Sequence, residues 1–271
     1  MSKKLRLDIY LVSNGYVNSR QLAQRIILAG KVRDYHGKIL DKPGHQIPID
    51  SNLQIESEPQ FVSRGGDKLL SALKKFPIEI KDRVCLDAGI STGGFTDCLI
   101  QNGAKLVYGI DVGYGQVSWK IRKNPNVILF ERTNIRYLKA STIYTEKSLL
   151  PNLVVADLSF ISLKLVFKPI LDLLSCNLNE GIFLIKPQFE VGRDKVGRGG
   201  VVRDKKYHIE AIQSVIDAAR ENSWDVNDIV ASPLVGPAGN HEYLAWFSNT
   251  KDPRKSINLQ FIESIVSQTV I

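Results

Sequence analysis

Cysteine is scarce in this chain of 271 residues, which contains only Cys85, Cys98 and Cys176. The three are scattered and form no C-x-x-C pair, so the sequence favours neither a disulfide framework nor a zinc site, and we expect no bound metal. Few cysteines without such a framework are typical of proteins kept in a reducing compartment, and we therefore expect a cytoplasmic protein.

Long apolar runs are missing as well. No uncharged stretch approaches the roughly 20 residues that a membrane helix needs. The N-terminal stretch MSKKLRLDIYLVSNG is basic, but it carries charges inside its short apolar part and so does not resemble a signal peptide. We therefore expect no membrane partner. The sequence leaves the oligomeric state open.

The two commonest nucleotide-binding signatures are also absent. No G-x-G-x-x-G of the nicotinamide-dependent dehydrogenases follows the first strand of the predicted sheet, and no P-loop of the form G-x-x-x-x-G-K-[ST] occurs. The net charge is +8 and the isoelectric point is about 9.3. This balance suits a polyanionic partner, nucleic acid before membrane, although a basic but otherwise ordinary soluble surface explains it equally well.

Hydrophobic periodicity divides the chain into two parts. Residues 1–58 predict two short helices followed by β structure, residues 59–62 a linker, and residues 63–271 an alternation of strands and helices. Strands are expected near 84–87, 106–111, 126–131, 152–157, 181–186, 227–232 and 241–247. Helices are expected near 94–103, 116–123, 161–175, 205–222 and 256–268. The predicted fold class is α/β, with a mostly parallel sheet that has helices on both faces and follows a small α+β unit.

Basic residues gather on the second helix of the first unit and on the loops after it, and a second basic stretch runs from Gly192 to Lys206. Arginines on a helix followed by a basic turn can bind RNA phosphates, although a charged solvated face is the commoner outcome. The predicted RNA-binding residues are Arg6, Arg20, Lys31, Lys42, Arg64, Arg193 and Arg198.

The stretch RVCLDAGISTGGF, from Arg83 to Phe95, predicts a strand, a loop of small residues and the start of a helix. Such a loop lets a ligand approach the backbone closely at the carboxyl end of a strand. Its pattern suits a zwitterionic ligand that contains adenosine, with Asp87 on the ammonium group and loop amides on the carboxylate. Asp111, at the end of the next strand, is placed to accept the ribose hydroxyls, and Asn134 follows the third strand near the expected adenine. The predicted cofactor-binding residues are Asp87, Gly89, Ser91, Thr92, Gly93, Gly94, Phe95, Asp111, Val112, Glu131, Asn134 and Asp157.

Two further strands end in charged residues. Asp157 ends the fourth predicted strand, and Lys186 follows three apolar residues at the end of the fifth. A lysine at this position faces the crevice, which weakens the alternative of a surface lysine that reaches bulk water. Glu242 precedes the last predicted strand, and Lys68 lies at the start of a helix after Arg64.

In these motifs the chain resembles the TlyA (haemolysin A) family of ribosomal RNA 2′-O-methyltransferases. The match begins at Arg6-Leu7-Asp8 and continues through Ser63-Arg64-Gly65-Gly66-x-Lys68 and Leu86-Asp87-x-Gly-x-Ser-Thr-Gly-Gly. It includes Asp157-x-Ser-Phe-Ile-Ser, Lys186-Pro-Gln-Phe-Glu and Gly239-Asn-x-Glu242, in the family's order. The resemblance implies an S-four-type RNA-binding domain at residues 1–58 and an FtsJ-like, Rossmann-like methyltransferase domain at residues 63–271 with one antiparallel strand.

The resemblance further implies that S-adenosylmethionine methylates a ribose 2′-hydroxyl, that of cytidine, in ribosomal RNA of the large and also the small subunit. It implies a catalytic tetrad of Lys68, Asp157, Lys186 and Glu242, in which Lys186 is either the general base or a group that only holds the hydroxyl. A non-catalytic RNA-binding protein would show a broken tetrad or loop. A membrane-active haemolysin would show an amphipathic or spanning segment. A small-molecule methyltransferase would not need the basic N-terminal unit.

Overall fold

A computed structural model of the chain describes residues 4–56, 59–175, 179–250 and 257–270. Cys176 lies outside the described residues. The chain forms two compact units, Met1–Pro59 and Gln60–Ile271. Within the described ranges, no helix combines the length and the apolar character needed to cross a membrane.

The first unit contains two helices and two small antiparallel ladders. Its elements are β1 Lys4–Arg6, α1 Leu7–Ser13, α2 Arg20–Leu28, β2 Val32–Asp34, β3 Gln46–Pro48 and β4 Leu53–Ile55, with β1 paired to β3 and β2 to β4. Ser19 caps the second helix, because its Oγ accepts the Leu22 N–H at 3.2 Å. Leu7, Leu11 and Ile27 are fully buried between the two helices and the strands.

The second unit is built on a seven-stranded sheet. Its strands are β5 Val84–Ala88, β6 Leu106–Ile110, β7 Val127–Phe130, β8 Leu153–Ala156, β9 Glu180–Ile185, β10 Asp225–Ala231 and β11 Tyr243–Ser248. Its helices are α3 Gly65–Leu73, α4 Gly94–Gln101, α5 Trp119–Arg122, α6 Ala140–Ile143, α7 Phe167–Leu171, α8 Pro187–Glu190, α9 Lys205–Glu221 and α10 Leu259–Thr269.

The strand order is β10-β11-β9-β8-β5-β6-β7. The pairs among β9, β8, β5, β6 and β7 are parallel, whereas β11 runs antiparallel to both of its neighbours. The predicted fold, a mostly parallel Rossmann-like sheet with one antiparallel strand, is confirmed. From β5 the chain continues outward through β6 and β7 and then crosses to β8 on the other side. A crevice therefore opens at the carboxyl ends of β5 and β8.

The central strands are buried on both faces, which explains why they read as continuous apolar runs. Along β5, Leu86 packs into the cluster under α7, α9 and α10, whereas Cys85 packs into the cluster under α3 and α4. Successive side chains of a strand point to opposite faces, so a single run of apolar residues fills two cores.

Two predicted helices are shorter than expected. The prediction of one helix over 161–175 is wrong, because the segment contains a 3-10 turn at Leu163–Leu165 and then the short helix α7. Pro169 lies in the first turn of α7 and cannot donate a backbone hydrogen bond, which prevents one continuous helix through this point. The helix expected over 116–123 is only α5, since the Ser118 N–H donates to the Thr92 carbonyl and ties the preceding residues to the loop after β5.

Candidate active site

The loop after β5 turns sharply against the end of β8. Gly89 has a φ of +85°, and a Cβ at this position would lie 2.7 Å from the Asp157 carbonyl oxygen. Any side chain here would push the two strand ends apart, so the glycine allows both loops to line one crevice. Ser91 also has a positive φ, of +50°, which turns its N–H toward β6.

Asp111 joins the first two strand ends. Its Oδ2 accepts the Ser91 N–H and its Oδ1 accepts the Gly113 N–H, each at 2.7 Å. A carboxylate has about four lone-pair positions, so two remain for a ligand such as a ribose diol. Asp111 therefore shapes the loop and still presents an acceptor to the crevice.

A cavity of about 470 Å³ lies along the carboxyl ends of β5, β6, β7 and β8. This volume is within the range of small-molecule and cofactor sites. Of the predicted cofactor-binding residues, it is lined by Gly89, Ser91, Asp111, Val112, Asn134 and Asp157. These residues fit an adenosine-containing ligand, because an acidic acceptor and an amide side chain lie between apolar walls formed by Ile110, Ile135 and Leu158.

Asp87 lies beneath this cavity and does not line it. The residue is fully buried; its Oδ2 accepts a hydrogen bond from the Thr96 hydroxyl at 2.6 Å, and its Oδ1 has no hydrogen-bond partner among the described residues. Burial raises the pKa of the Asp87 carboxyl to about 7, against the smaller opposing effect of the Thr96 hydrogen bond. The unpartnered oxygen is compatible with an ammonium group that approaches through the loop, so the predicted role of Asp87 stays a prediction.

Glu131 has a different set of partners from the one expected of a cofactor ligand. Its Oε1 lies 2.7 Å from Arg122 Nη2 and also accepts the Gly115 N–H at 2.7 Å. These bonds connect the loop after β6, the helix α5 and the end of β7, and the Arg122 hydrogen bond lowers the pKa of Glu131. Glu131 lines neither this cavity nor the second cavity described below. Gly93 has a φ of +96° and forms the turn into α4.

A second cavity of about 280 Å³ adjoins the first and shares Gly89, Ser91, Asp157 and Ser159 with it. All four predicted catalytic residues, Lys68, Asp157, Lys186 and Glu242, line this second cavity, together with Thr92, Gly94, Phe95 and Arg64. The two cavities therefore place the predicted cofactor site and the predicted catalytic groups on either side of the β5 loop and Asp157.

The four catalytic candidates form two lysine–carboxylate pairs. Lys68 Nζ lies 2.5 Å from Glu242 Oε2, and Lys186 Nζ lies 2.6 Å from Asp157 Oδ1 and 2.9 Å from Ser159 Oγ. Side-chain exposure is 11% for each lysine, 1% for Glu242 and 24% for Asp157. Because three of the four side chains are almost fully buried, breaking either pair would leave an uncompensated charge.

The sheet register explains why these residues meet. Tyr243 pairs with Ile185 across the antiparallel ladder, so Glu242 and Lys186 leave neighbouring strands at the same edge. Asp157 leaves the adjacent parallel strand β8 at that edge as well. Lys68 lies on helix α3, which is outside the sheet and packs against β11 and α4.

Three features of the site were not singled out from the sequence, although each lies inside a quoted motif. Ser159 accepts the Lys186 hydrogen bond. Phe160 is 91% exposed with a φ of +64°, and its ring centroid lies 5.2 Å from that of Phe189. Glu190 is buried and accepts the Ser162 hydroxyl at 2.5 Å and the Leu163 N–H at 2.9 Å, which fixes the loop that carries Ser159 and Phe160. An exposed aromatic residue in a strained backbone position is typical of a functional contact.

The predicted RNA-binding residues of the second unit lie at or near this edge of the sheet. Arg64 lines the second cavity, and Arg193 and Arg198 are exposed in the segment that follows α8. Asn240, two residues before Glu242 in the chain, anchors that segment. Its side chain accepts the Val202 N–H at 2.9 Å and donates to the Gly200 carbonyl at 2.8 Å.

In the first unit, Arg6 and Arg20 contact the same carboxylate, that of Asp8. Lys42 is exposed and Lys31 half-buried. Nothing in these positions assigns a ligand by itself, so RNA binding by these residues stays a prediction. Throughout the described part of the chain, no group of three or more histidine, cysteine or acidic side chains could hold a metal ion.

Comparison with known proteins identifies relatives over nearly the whole chain. A family model described as FtsJ-like methyltransferase matches residues 61–249. The 16S/23S rRNA (cytidine-2′-O)-methyltransferase TlyA of Mycobacterium tuberculosis is 41% identical over 272 residues, which cover 100% of this chain and 98% of that protein. Hemolysin A of Brachyspira hyodysenteriae is 40% identical over 247 residues, covering 90% of this chain and 99% of that protein. A solved structure described as a hemolysin from Streptococcus thermophilus has a TM-score of 0.73 and 36% identity, covering 99% of this chain and 96% of that one.

Proposed function

We propose that this chain, which belongs to the FtsJ-like methyltransferase family, transfers a methyl group from S-adenosylmethionine to a ribose 2′-hydroxyl of ribosomal RNA. Its relatives named TlyA and Hemolysin A support the same assignment, at 41% and 40% identity over most of the chain. The observation that carries the proposal is the pair of adjoining cavities. One fits an adenosine-containing cofactor, and the other is lined by two lysine–carboxylate pairs, of which Asp157 also lines the first cavity.

We propose that the cofactor occupies the 470 Å³ cavity, with its ribose on Asp111 and its adenine beside Asn134. S-adenosylmethionine supplies an electrophilic methyl group on a sulfonium centre. Asp157 and Gly89 line both cavities, so a methyl group held above them would face the second cavity. The walls formed by Ile110, Ile135 and Leu158 exclude water from the apolar side of the cofactor.

In the second cavity, Lys186 is placed to bind the oxygen of the target hydroxyl. An ammonium group has three N–H donors. One donates to the Ser159 hydroxyl, and the Asp157 carboxylate lies 2.6 Å from Nζ as the ion-pair partner, so a donor remains for the substrate. A hydrogen bond from this donor would hold the hydroxyl oxygen in line and stabilise the negative charge that develops on it as the oxygen bonds to the methyl carbon, the sulfonium–methyl bond breaks and the hydroxyl proton is released to solvent. Holding a nucleophile in line can contribute roughly 7–11 kcal/mol to lowering a barrier. Asp157 fixes the position of Lys186, and Lys68 with Glu242 forms the opposite wall.

The basic charge of the chain and its relatives support a choice of substrate. We propose cytidine as the modified nucleoside and both ribosomal subunits as targets, because the chain spans 98% of a relative named as a 16S/23S rRNA (cytidine-2′-O)-methyltransferase. We further propose that the N-terminal unit, an S-four-type domain by resemblance, binds the RNA through Arg6, Arg20, Lys31 and Lys42. Arg64, Arg193 and Arg198 then contact RNA near the catalytic cavity. A ribosomal substrate implies that the protein acts in the cytoplasm.

The test is a methyl-transfer assay with labelled S-adenosylmethionine, separated small and large ribosomal subunits, and mapping of the modified nucleotide. We expect label on the ribose 2′-oxygen of a cytidine. Lys186→Ala should abolish transfer while cofactor binding, measured by calorimetry, is retained. Lys186→Arg keeps a cation that cannot act as a base, so residual transfer above the alanine variant would support the holding role. Wild-type protein that binds the cofactor but labels neither subunit would contradict the proposal.

A further inference from the structure

A buried carboxylate lies at the centre of the positively charged N-terminal unit. Asp8 is in the first turn of α1 and is 0% exposed. An aspartate is almost never fully buried unless it is paired, and burying one inside a unit that binds a polyanion would by itself weaken such binding. The partners of Asp8 explain its presence.

Asp8, on helix α1, collects side chains from strand β1 and from helix α2. Its Oδ1 accepts Arg6 Nε at 3.0 Å, and its Oδ2 accepts Arg6 Nη2 at 3.1 Å, Arg20 Nε at 2.9 Å and Gln24 Nε2 at 3.0 Å. The hydrogen bond from Arg6 is the largest of the effects that hold the pKa of this carboxyl well below its usual range. Asp8 is therefore a fixed negative charge to which two guanidinium groups are attached.

We propose that Asp8 is a positioning residue that holds Arg6 and Arg20 together as one binding site for RNA backbone phosphate. This inference rests on the proposed RNA-binding function of the first unit. The negative charge of Asp8 alone would weaken RNA binding, whereas in this role Asp8 strengthens it.

The geometry leaves the arginines free on their outer side. Their side chains are 42% and 55% exposed, whereas the carboxylate is enclosed, so an incoming phosphate meets the guanidinium groups first. An arginine has five N–H donors, and those that face Asp8 are two from Arg6 and one from Arg20. The remaining donors are available for phosphate oxygens, which guanidinium groups bind in a bidentate manner.

The same site includes the turn that carries Lys42. The Asp8 N–H donates to the Pro43 carbonyl at 3.1 Å, and a Cβ on Gly44 would lie 3.6 Å from Arg6 Nη1. The Arg6 guanidinium therefore lies over this turn. Each arginine side chain has about 2 kcal/mol of rotamer entropy to lose on binding. Because Asp8 has already ordered both, less of that cost falls on the binding step.

Electrostatics alone and the positioning role predict opposite effects of Asp8→Asn. Removal of one negative charge raises the net charge of the unit, which should tighten RNA binding. If Asp8 positions the arginines, the same substitution releases them and weakens binding. One lost phosphate contact costs about five- to eightfold in affinity at 0.1 M salt and reduces the slope of log K against log salt by about 0.7 to 0.9.

The experiment measures binding of the full chain to purified large-subunit ribosomal RNA by filter retention between 50 and 200 mM KCl, a range in which salt effects on phosphate contacts are large. Asp50→Asn is the matched control, since Asp50 is an exposed acid of the same unit. We expect Asp8→Asn to weaken binding about fivefold or more and to lower the salt slope, whereas Asp50→Asn leaves binding unchanged or slightly tighter. Asp8→Asn that binds as tightly as Asp50→Asn would overturn the proposal.

A second set of variants keeps the test decisive if Asp8→Asn unfolds the unit. Arg6→Lys with Arg20→Lys keeps both charges but loses the planar donors that Asp8 holds, and we expect weaker binding; unchanged binding would contradict the proposal. In the background of Arg6→Gln with Arg20→Gln, Asp8→Asn should cause no further loss, and an additional loss would also contradict it. If wild-type protein does not bind the RNA, or if the double glutamine variant binds as wild type does, the proposed RNA-binding function fails instead.

Discussion

Replacing Asp87 by asparagine is expected to make the methyltransferase unit more stable at neutral pH and to remove a pH dependence from its unfolding. Burial raises the pKa of this carboxyl from an ordinary 3.8 to about 7. The native state therefore binds a proton between these two values that the unfolded state has already released. By linkage, the free energy of unfolding is unaffected below pH 4, falls as the pH rises from 4 to 7, and then stays level.

The size of the effect follows from the two pKa values. At about 1.4 kcal/mol for each pKa unit, a rise from 3.8 to about 7 costs the native state about 4 kcal/mol at and above pH 7. The asparagine variant has no proton to release, so its stability relative to wild type should increase by that amount between pH 4 and pH 7. Loss of the ideal acceptor for the Thr96 hydroxyl offsets about 1 kcal/mol of this at every pH.

The assay is urea unfolding followed by tryptophan fluorescence at several pH values from 4.5 to 8. All three tryptophans, Trp119, Trp224 and Trp246, lie in the second unit, so the signal reports on that unit alone. Thr96→Val is the companion variant: it removes a hydrogen bond that favours the charged form, and the fall in stability should extend above pH 7. A stability difference between wild type and Asp87→Asn that does not change with pH would refute the reasoning.

The same titration predicts the behaviour of the cofactor site. An ammonium group that approaches Asp87 favours the ionised carboxylate, so the affinity for S-adenosylmethionine should rise with pH up to about 7 and then level off. Calorimetric titrations at pH 5.5, 6.5 and 7.5 would measure this. The asparagine variant should bind the cofactor more weakly and without that rise; an identical pH profile would show that Asp87 does not contact the ammonium group.

Three further predictions concern the catalytic cavity and its surroundings. Glu242→Gln should destabilise the unit by about 3–5 kcal/mol in urea unfolding, because it leaves the buried Lys68 unpaired, whereas a double change to Lys68→Met with Glu242→Leu should recover stability but not methyl transfer. Phe160→Ala should weaken binding of the ribosomal substrate by about 1–3 kcal/mol if its exposed ring stacks on a base, which would appear as a higher KM for that substrate; an unaltered KM would exclude stacking. Charge reversal of Arg193 and Arg198 to Glu should weaken RNA binding and flatten its salt dependence, and binding that stays the same would place the segment away from the RNA.

Much of the site could be predicted because it lies at the ends of parallel strands. Asp111, Asn134, Asp157 and Lys186 each follow an apolar run, and the carboxyl ends of parallel strands meet at one edge of the sheet. The glycine spacing after β5 correctly indicated a loop that approaches its neighbours closely, as the 2.7 Å approach at Gly89 shows.

Contacts that form only in the folded chain were less predictable from the sequence. The bond between Glu131 and Arg122 and the burial of Asp87 were not expected, and the roles of both residues at the cofactor stay predictions. The helix over 161–175 was predicted from apolar periodicity, which Pro169 and the Ser162 and Leu163 bonds to Glu190 override. Periodicity registers local preference, whereas these outcomes depend on contacts made only after the chain has folded.

By itself, the sequence determined the two-unit organisation, the order of strands and helices, and the chemical types of the residues that reach the crevice, because these depend on local pattern and on the direction of parallel strands. Only the tertiary structure decided which charges pair. Lys68 and Glu242 are separated by 174 positions and meet through the register of β9 and β11 and the packing of α3. Asp8 likewise pairs with Arg20, which lies on the neighbouring helix α2. Ion pairs act over a few ångströms of space, and the chain's linear order does not encode those distances.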